Sequence, residues 1–234
     1  MTSDARLGVL GGTLDPVHNG HIDVAVAARQ ALALGRVILL PSRLPPHRPS
    51  LPAASPFHRF AMAALAVSRV DGLEVSDLEL SAPGPSYTSD TLDRLYASGL
   101  KPAQIFFITG ADAFAEIATW HRYPEVLDLA HFVVVSRPGF PARSLSTALP
   151  SLAPRMREGT AFEAAASKPS IFLVDARTAD VSSTEIRRRV RAGESVEGLV
   201  PPLVERHISQ HRLYSHEATR NGVAAAANQL HGKN

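Results

Sequence analysis

Short runs of aliphatic and β-branched residues alternate along the chain with segments of helical periodicity. The runs predict strands at residues 7–10, 36–40, 73–76, 104–109, 131–136 and 170–174. The remaining patterns predict helices at residues 19–33, 55–70, 89–98, 111–118, 125–129, 183–192 and 202–210. Such alternation is typical of a parallel sheet that is covered by helices on both faces. We therefore predict an α/β fold, a doubly wound parallel sheet of five to six strands with a C-terminal helical portion.

A pair of glycines, Gly11 and Gly12, directly follows the predicted first strand and precedes the first helix. Glycine lets a ligand approach the backbone closely, and the free N–H groups at a helix N-terminus favour an anion. His18 and His21 are three residues apart, so both are expected on one face near this helix start. Because imidazoles can donate hydrogen bonds to phosphoryl oxygens, we expect a phosphate-binding site here.

Two other interpretations of this turn stay open besides a phosphate site. The glycine pair can be a purely structural turn. Histidines at i and i+3 can also coordinate zinc or iron, although no third ligand with metal-type spacing is near. Neither GxxxxGK[ST] nor GxGxxG occurs in the sequence, so the familiar phosphate-binding fingerprints do not identify the turn.

The predicted fourth strand also runs into a glycine, Gly110, and Asp112 follows it. In doubly wound sheets the ligand crevice lies beyond the carboxyl ends of the strands, where the strand order reverses, usually between the first and fourth strands. Asp112 is therefore expected to overhang the same crevice as Gly11 and Gly12. It can either cap the helix that follows or bind a ribose hydroxyl.

Composition narrows the class of protein and of partner. With 234 residues, 45% of them hydrophobic, the chain can bury a core as one domain. Its formal net charge of +2, carried mainly by arginine, fits a phosphate pocket and requires no nucleic acid partner. The absence of cysteine excludes disulfides and thiolate metal sites. No signal peptide and no apolar run of about 18 residues is apparent, so we expect a cytoplasmic protein with no membrane partner.

The domain organisation is predicted to be simple. Residues 1–214 are expected to form one domain, and residues 215–234, which have little to bury, are expected to form a disordered tail. The segment 138–169 is rich in Pro, Ser and Ala and is predicted to be a loop with short helices.

Two motifs resemble the paired signatures of the nucleotidyltransferase superfamily. The segment GGTLDPVHNGHI, which starts at Gly11, resembles GGTFDPxHxGH, and SSTEIR, which starts at Ser182, resembles SSTxIR. The resemblance implies a Rossmann-like fold that transfers a nucleotidyl group, with His18, His21 and Arg187 as catalytic residues. It also implies an ATP site that consists of Gly11, Gly12, Thr13, His18, His21, Gly110, Asp112, Ser183, Thr184 and Arg187.

Three further segments resemble the bacterial nicotinate mononucleotide adenylyltransferases: PPHR at 45–48, SYTSDTL at 86–92, and the spacing from Gly110 to Trp120. The resemblance implies that nicotinate mononucleotide is bound by His47, Arg48, Tyr87, Thr88, Trp120 and Arg137. An arginine fork suits a phosphate, an indole can stack on a pyridine ring, and Thr88 is expected to cap a helix whose N–H groups bind the pyridine carboxylate. Without the resemblance, Trp120 would be assigned to packing.

The chain departs from the family pattern at three places. Leu14 replaces the usual Phe, a change that is expected to affect packing more than chemistry. Arg48 stands where Lys is more frequent, which keeps the positive charge but alters its geometry. Residues 80–85 lack the basic residue that often precedes the SYT motif, so the resemblance implies no role for this loop.

The resemblance implies an enzyme in which the 5′-phosphate of nicotinate mononucleotide attacks the α-phosphorus of ATP. The products would be nicotinate adenine dinucleotide, a precursor in NAD biosynthesis, and pyrophosphate. Mg²⁺ is expected on the ATP phosphates, with no metal ligand from protein side chains. Alternatives are another acceptor, such as nicotinamide mononucleotide, phosphopantetheine or flavin mononucleotide, and a non-catalytic nucleotide sensor. The sequence decides neither between acid and amide mononucleotide nor whether the chain forms a homo-oligomer.

Overall fold

A seven-stranded parallel β-sheet forms the centre of the computed structural model, which describes residues 6–46, 51–158 and 168–215. Its strands are β1 (Leu7–Gly12), β2 (Arg36–Pro41), β3 (Leu73–Val75), β4 (Ile105–Gly110), β5 (His131–Val135), β6 (Met156–Glu158) and β7 (Ile171–Val174). Every pairing is parallel, and the order across the sheet is β3-β2-β1-β4-β5-β7-β6. The predicted α/β class and parallel sheet are therefore confirmed.

Seven α-helices lie within the described residues, and several single 3₁₀ turns join them. The α-helices are α1 (Asn19–Ala31), α2 (Pro56–Val67), α3 (Thr88–Ala97), α4 (Ala111–Ala115), α5 (Leu145–Ala148), α6 (Ser183–Ala192) and α7 (Pro202–Gln210). The 3₁₀ turns are Pro102–Gln104, Ile117–Thr119, Glu125–Asp128, Ala142–Ser144 and Ala153–Arg155. The predicted C-terminal helical portion corresponds to α6 and α7.

The structure differs from the predicted elements in a few places. The strand β6 raises the strand count above the predicted five to six. The sequence does not predict this strand, because its Arg157 and Glu158 are exposed at the sheet edge and carry no apolar pattern. The predicted helix 111–118 is divided into α4 and a 3₁₀ turn, and the predicted helix 125–129 is a 3₁₀ turn. The segment 138–169 does contain short helices, although residues 159–167 lie outside the described part of the chain.

Helices cover both faces of the sheet, so its central strands are buried on both sides. Adjacent residues of one strand point to opposite faces: Phe106 packs into a core with α1, α2 and α7, whereas Phe107 packs into a second core with α3 and α4. Burying a side chain of this size contributes about 1.5–3 kcal/mol. This double burial explains why the strands appear in the sequence as continuous apolar runs.

The strand order reverses between β1 and β4, which are neighbours in the sheet. β1 leads through α1 to β2 on one side, and β4 leads through α4 to β5 on the other side. The connections therefore diverge and leave a crevice at the carboxyl ends of these two strands. Among the described residues, no helix is long and apolar enough to span a bilayer.

Candidate active site

A cavity of about 460 Å³ opens at the carboxyl ends of β1 and β4. Its lining brings together most of the residues that the sequence singled out: Gly11, Gly12, Thr13, His18, His21, Tyr87, Thr88, Gly110, Asp112, Trp120, Arg137, Ser183 and Thr184. Of the other predicted site residues, Arg187 is not part of the lining, and His47 and Arg48 lie outside the described residues.

His18 and His21 lie side by side at the start of α1. His18 is the N-cap residue, and its backbone N–H donates to Nδ1 of His21 at 3.2 Å. The two ring centroids are 3.7 Å apart. Because Nδ1 of His21 accepts this bond, the neutral His21 ring carries its proton on Nε2. The structure places both imidazoles on one face of the helix start, beside Gly11 and Gly12, as expected.

His18 combines deep burial with an unpaired polar atom. Its side chain is 2% exposed, and Nδ1 has no hydrogen-bond partner among the described residues. Burial, the larger cause, and the positive charge of Arg137 together lower the pKa of His18 to about 3. The ring is therefore neutral at physiological pH. Because His18 also lines the cavity, its neutral ring can donate a hydrogen bond to a ligand there.

A second helix begins at the same cavity. Ser182 is the N-cap of α6, and its Oγ accepts from the backbone N–H of Glu185 at 3.2 Å. Oγ of Ser183 donates to the carbonyl of Pro16 at 2.9 Å, which attaches the start of α6 to the turn after β1. The N-termini of α1 and α6 thus lie at one cavity wall. Each helix start carries the positive end of its helix dipole, about half a charge, so together they favour a polyanion.

Arg187 lies behind this wall. Its Nη1 donates to the backbone carbonyl of Asp15 at 2.6 Å, and its Nη2 donates to Oγ1 of Thr184 at 3.2 Å. Its side chain is 15% exposed. In this arrangement the guanidinium supports the turn and the start of α6, so a direct contact with a leaving phosphate stays a prediction.

Aromatic side chains line the opposite end of the cavity. Trp120 lies edge-on to Phe107, with ring centroids 6.0 Å apart, and also contacts Phe132. Tyr87 stacks on His121, with centroids 4.3 Å apart. Trp120 therefore packs against the core and lines the cavity at once, so its two interpretations are compatible.

The start of α3 differs from the sequence prediction in one detail. The N-cap residue is Tyr87, and no side chain caps the helix, whereas the hydroxyl of Thr88 was expected to do so. Thr88 is the first helical residue, so its hydroxyl is one position too late for capping. The backbone N–H groups of this first turn still have no capping side chain, and Thr88 lines the cavity.

Asp112 lies in the first turn of α4, and its side chain is exposed at the cavity. The N-cap of this helix is Gly110, so the capping interpretation of Asp112 is wrong. A Cβ at Gly110 would come within 2.5 Å of Oδ1 of Asp112 and 3.1 Å of Cγ of Arg137. A larger residue at this position would displace these two side chains, and the ribose contact of Asp112 stays a prediction.

A family model for cytidylyltransferase-like proteins matches residues 9–189. A protein of Desulfatibacillum aliphaticivorans, named probable nicotinate-nucleotide adenylyltransferase, is 39% identical over 217 residues, which cover 89% of this chain and 99% of the relative. A protein of the same name from Chromohalobacter salexigens is 41% identical over 214 residues, which cover 90% and 96%. The chain belongs to the nicotinate-nucleotide adenylyltransferases of the cytidylyltransferase-like family.

The fold of this adenylyltransferase chain is also found in distant solved structures. The nicotinic acid mononucleotide adenylyltransferase of Plasmodium falciparum, solved as a complex with NaAD, matches with a TM-score of 0.68. The match covers 90% of this chain and 97% of that one at 17% identity, so it bears on the fold alone.

Two buried charged residues of this adenylyltransferase chain escaped the sequence analysis. Glu79 lines the cavity and is 5% exposed; it accepts from Oγ1 of Thr91 at 2.8 Å, and burial raises its pKa. Arg59 is fully buried, and its Nη1 donates to the carbonyls of Thr13 at 2.8 Å and Ser42 at 2.6 Å, joining the loops after β1 and β2. A cation on the apolar face of the predicted helix 55–70 is the signal that could have identified Arg59.

Proposed function

We propose that this chain transfers the adenylyl group of ATP to nicotinate mononucleotide, giving nicotinate adenine dinucleotide and pyrophosphate. One observation carries the proposal: a single cavity joins an anion-binding wall, made by the glycine turn and the starts of α1 and α6, to an aromatic end with Trp120 and the start of α3. The first half suits a triphosphate, and the second suits a flat pyridine ring that carries a carboxylate. The names of the relatives that are 39% and 41% identical agree with it.

The reaction requires no covalent bond between the protein and a substrate. An oxygen of the mononucleotide phosphate forms a bond to the α-phosphorus, and the bond from that phosphorus to the bridging oxygen of pyrophosphate breaks. Since the nucleophile is already ionised, no proton has to be removed. The residues of the site then act by positioning the two phosphates and by stabilising negative charge in the transition state.

Different groups of the anion-binding wall contact different phosphates of ATP. The backbone of Gly11, Gly12 and Thr13 cradles the phosphates at the turn. His18 and His21 donate hydrogen bonds toward the oxygens of the reacting phosphorus, with His18 as a neutral donor because its pKa lies near 3. Ser183 and Thr184 bind the β and γ phosphates at the start of α6, and Arg187 supplies positive charge behind them.

The aromatic end would bind the acceptor. In this proposal Trp120 stacks on the pyridine ring, and the N–H of Thr88 at the start of α3 binds its carboxylate. Tyr87 contacts the acceptor through its side chain, because its own N–H donates to the carbonyl of Pro85 at 3.2 Å. Arg137 lines the cavity, donates to the carbonyl of Val181 at 3.4 Å, and is proposed to bind the phosphate of nicotinate mononucleotide. His47 and Arg48 are proposed to bind the mononucleotide phosphate, and Asp112 to bind a ribose hydroxyl of ATP.

The groups at the anion-binding wall are compatible with a Mg²⁺ ion that is bound by the phosphates of ATP. Asp15, which lies in the turn after β1, already accepts from the N–H groups of Ala53 and Ala54 and from the hydroxyl of Tyr214. Backbone N–H groups and imidazoles make up the wall, and these bind phosphate oxygens. When bound, Mg²⁺ would neutralise phosphate charge through oxygen and water ligands.

The test compares acceptors side by side with ATP and Mg²⁺ present: nicotinate mononucleotide, nicotinamide mononucleotide and phosphopantetheine, with pyrophosphate release as the readout. We expect the highest kcat/KM with the acid, because the start of α3 favours an anion. Preference for the amide would contradict the carboxylate contact, and reaction with phosphopantetheine alone would contradict the acceptor assignment while leaving adenylyl transfer in place.

A further inference from the structure

Three histidines that the proposed reaction does not use meet on the face of the molecule formed by α2 and α7. His58 lies in the first turn of α2, His207 lies in the last turn of α7, and His211 follows directly after that helix. One ring nitrogen of each can be chosen so that all three lie within 4.8 Å of one another. Nδ1 of His58 and Nε2 of His207 are already 3.1 Å apart.

The spacing of these nitrogens is close to that of a metal site. In a tetrahedral zinc site with Zn–N bonds of about 2.0–2.1 Å, the ligand nitrogens are roughly 3.3 Å apart. The His58–His207 pair meets this distance, and modest rotation of the exposed His211 side chain can close the remainder. His207 and His211 are four residues apart on one helix face, so their rings lie together, with centroids 4.4 Å apart.

The two helix ends at which the histidines lie act on a cation in opposite directions. The carboxyl end of α7, where His207 and His211 lie, favours a cation. The amino end of α2 at His58 acts in the opposite direction, so the ligand bonds have to supply the affinity.

We propose that His58, His207 and His211 form a binding site for a divalent transition metal ion of the zinc class, with water as the fourth ligand. Three imidazoles suit zinc, cobalt, nickel or copper ions better than Mg²⁺, which prefers oxygen. Of the two facing nitrogens of His58 and His207, the one that carries a proton passes it to the other nitrogen of its own ring when the ion binds. This site departs from the expectation that no protein side chain binds a metal.

The ion would link two elements that support the turn after β1. Arg59 follows His58 and donates to the carbonyl of Thr13, and Tyr214 lies three residues after His211 and donates to Asp15. A metal that joins α2 to the end of α7 therefore stabilises the folded state at the base of the phosphate-binding turn. The site is structural in this proposal and takes no part in the reaction.

The test uses untagged full-length protein and Co²⁺ as a spectroscopic substitute for zinc. We expect one Co²⁺ per chain with visible absorption typical of nitrogen ligation, and a melting temperature that rises with free Zn²⁺ concentration. His58→Gln, His207→Gln and His211→Gln should each weaken Co²⁺ binding at least tenfold. The control His231→Gln should leave binding unchanged.

A second variant separates this site from the histidines of the cavity. The double variant H18A/H21A should keep the Co²⁺ absorption, because neither residue belongs to the cluster. Loss of the absorption in that variant, or its survival in His211→Gln, would place the ion elsewhere and overturn the proposal. Because His211 is exposed, His211→Gln is expected to fold, and its circular dichroism spectrum verifies this.

Discussion

The hydroxyl of Tyr214 donates a hydrogen bond of 2.8 Å to Oδ1 of Asp15, a residue 199 positions earlier in the chain. Both side chains are buried. The same carboxylate accepts from the backbone N–H groups of Ala53 and Ala54, and Arg187 binds the carbonyl of Asp15. The turn that carries the glycines and histidines is thus held from three distant segments of the chain.

Replacing Tyr214 with Phe should therefore destabilise the protein. The change removes one donor from a buried carboxylate, which costs about 1–3 kcal/mol. The free energy of unfolding, measured by urea titration, should fall by that amount. Tyr96→Phe is the matched control, because the Tyr96 hydroxyl has no hydrogen-bond partner among the described residues. An equal loss in both variants would contradict the role of the Asp15 bond.

Replacing His18 with Ala should lower kcat by orders of magnitude while the fold stays intact. The ring is expected to donate to the phosphoryl oxygens in the transition state. The fold should stay intact because Nδ1 of His18 has no hydrogen-bond partner within the described part of the chain. Pyrophosphate release gives kcat, and thermal melting checks the fold. His231→Gln should behave as the unmodified protein. Turnover close to that of the unmodified protein would rule out the proposed role of His18.

Trp120→Phe should raise the KM for nicotinate mononucleotide about two- to tenfold, with little change in the KM for ATP. The estimate corresponds to the loss of part of a stacking energy of about 0.5–1.5 kcal/mol. Phe is preferred to Ala because Trp120 also packs against Phe107 and Phe132, and a smaller residue would lower stability as well. Steady-state kinetics with each substrate varied in turn provide the measurement. An equal effect on both substrates would contradict a platform for the acceptor alone.

Stability should decrease as the pH falls below about 6.5, in part because of His131. Burial lowers the pKa of His131 to about 4, with Arg6 and Arg155 acting in the same direction, and Nδ1 accepts from the backbone N–H of Ser170 at 3.0 Å. Between pH 6.5 and 4 the unfolded chain binds a proton that the folded chain excludes. The free energy of unfolding then falls by up to about 1.4 kcal/mol per pH unit, and His18 acts in the same sense down to about pH 3.

The variant His131→Asn isolates this contribution, because the Asn oxygen can still accept a hydrogen bond but does not titrate. Urea unfolding between pH 7 and pH 4 should give a shallower loss of stability than in the unmodified protein. Identical slopes for the two proteins would show that His131 is not held neutral.

The sequence predicts those parts of the molecule that leave a local pattern. Strands buried on both faces, such as β4, appear as apolar runs, and α6 and α7 have the predicted boundaries. The strand β6 was missed because three residues at a sheet edge have no periodic signal.

The residues of the candidate site also fall into two groups, those that a local motif predicts and those that only the tertiary fold brings together. The glycine turn, His18, His21 and the start of α6 were predicted because contiguous motifs carry them. Glu79, Arg59 and the Asp15–Tyr214 bond were not, since each depends on partners that only the tertiary fold brings together. The histidine cluster is hidden for the same reason, because His58 is 149 residues from His207 in sequence.

We propose that one cavity joins the adenylyl group of ATP to the phosphate of nicotinate mononucleotide. The most direct test incubates the protein with Mg²⁺, nicotinate mononucleotide and ATP labelled at the α-phosphate, and follows the label by chromatography and mass spectrometry. Under this proposal the label should appear in nicotinate adenine dinucleotide, with one pyrophosphate released per dinucleotide. Label that remains in ATP, or that is recovered in AMP without any dinucleotide, would contradict it.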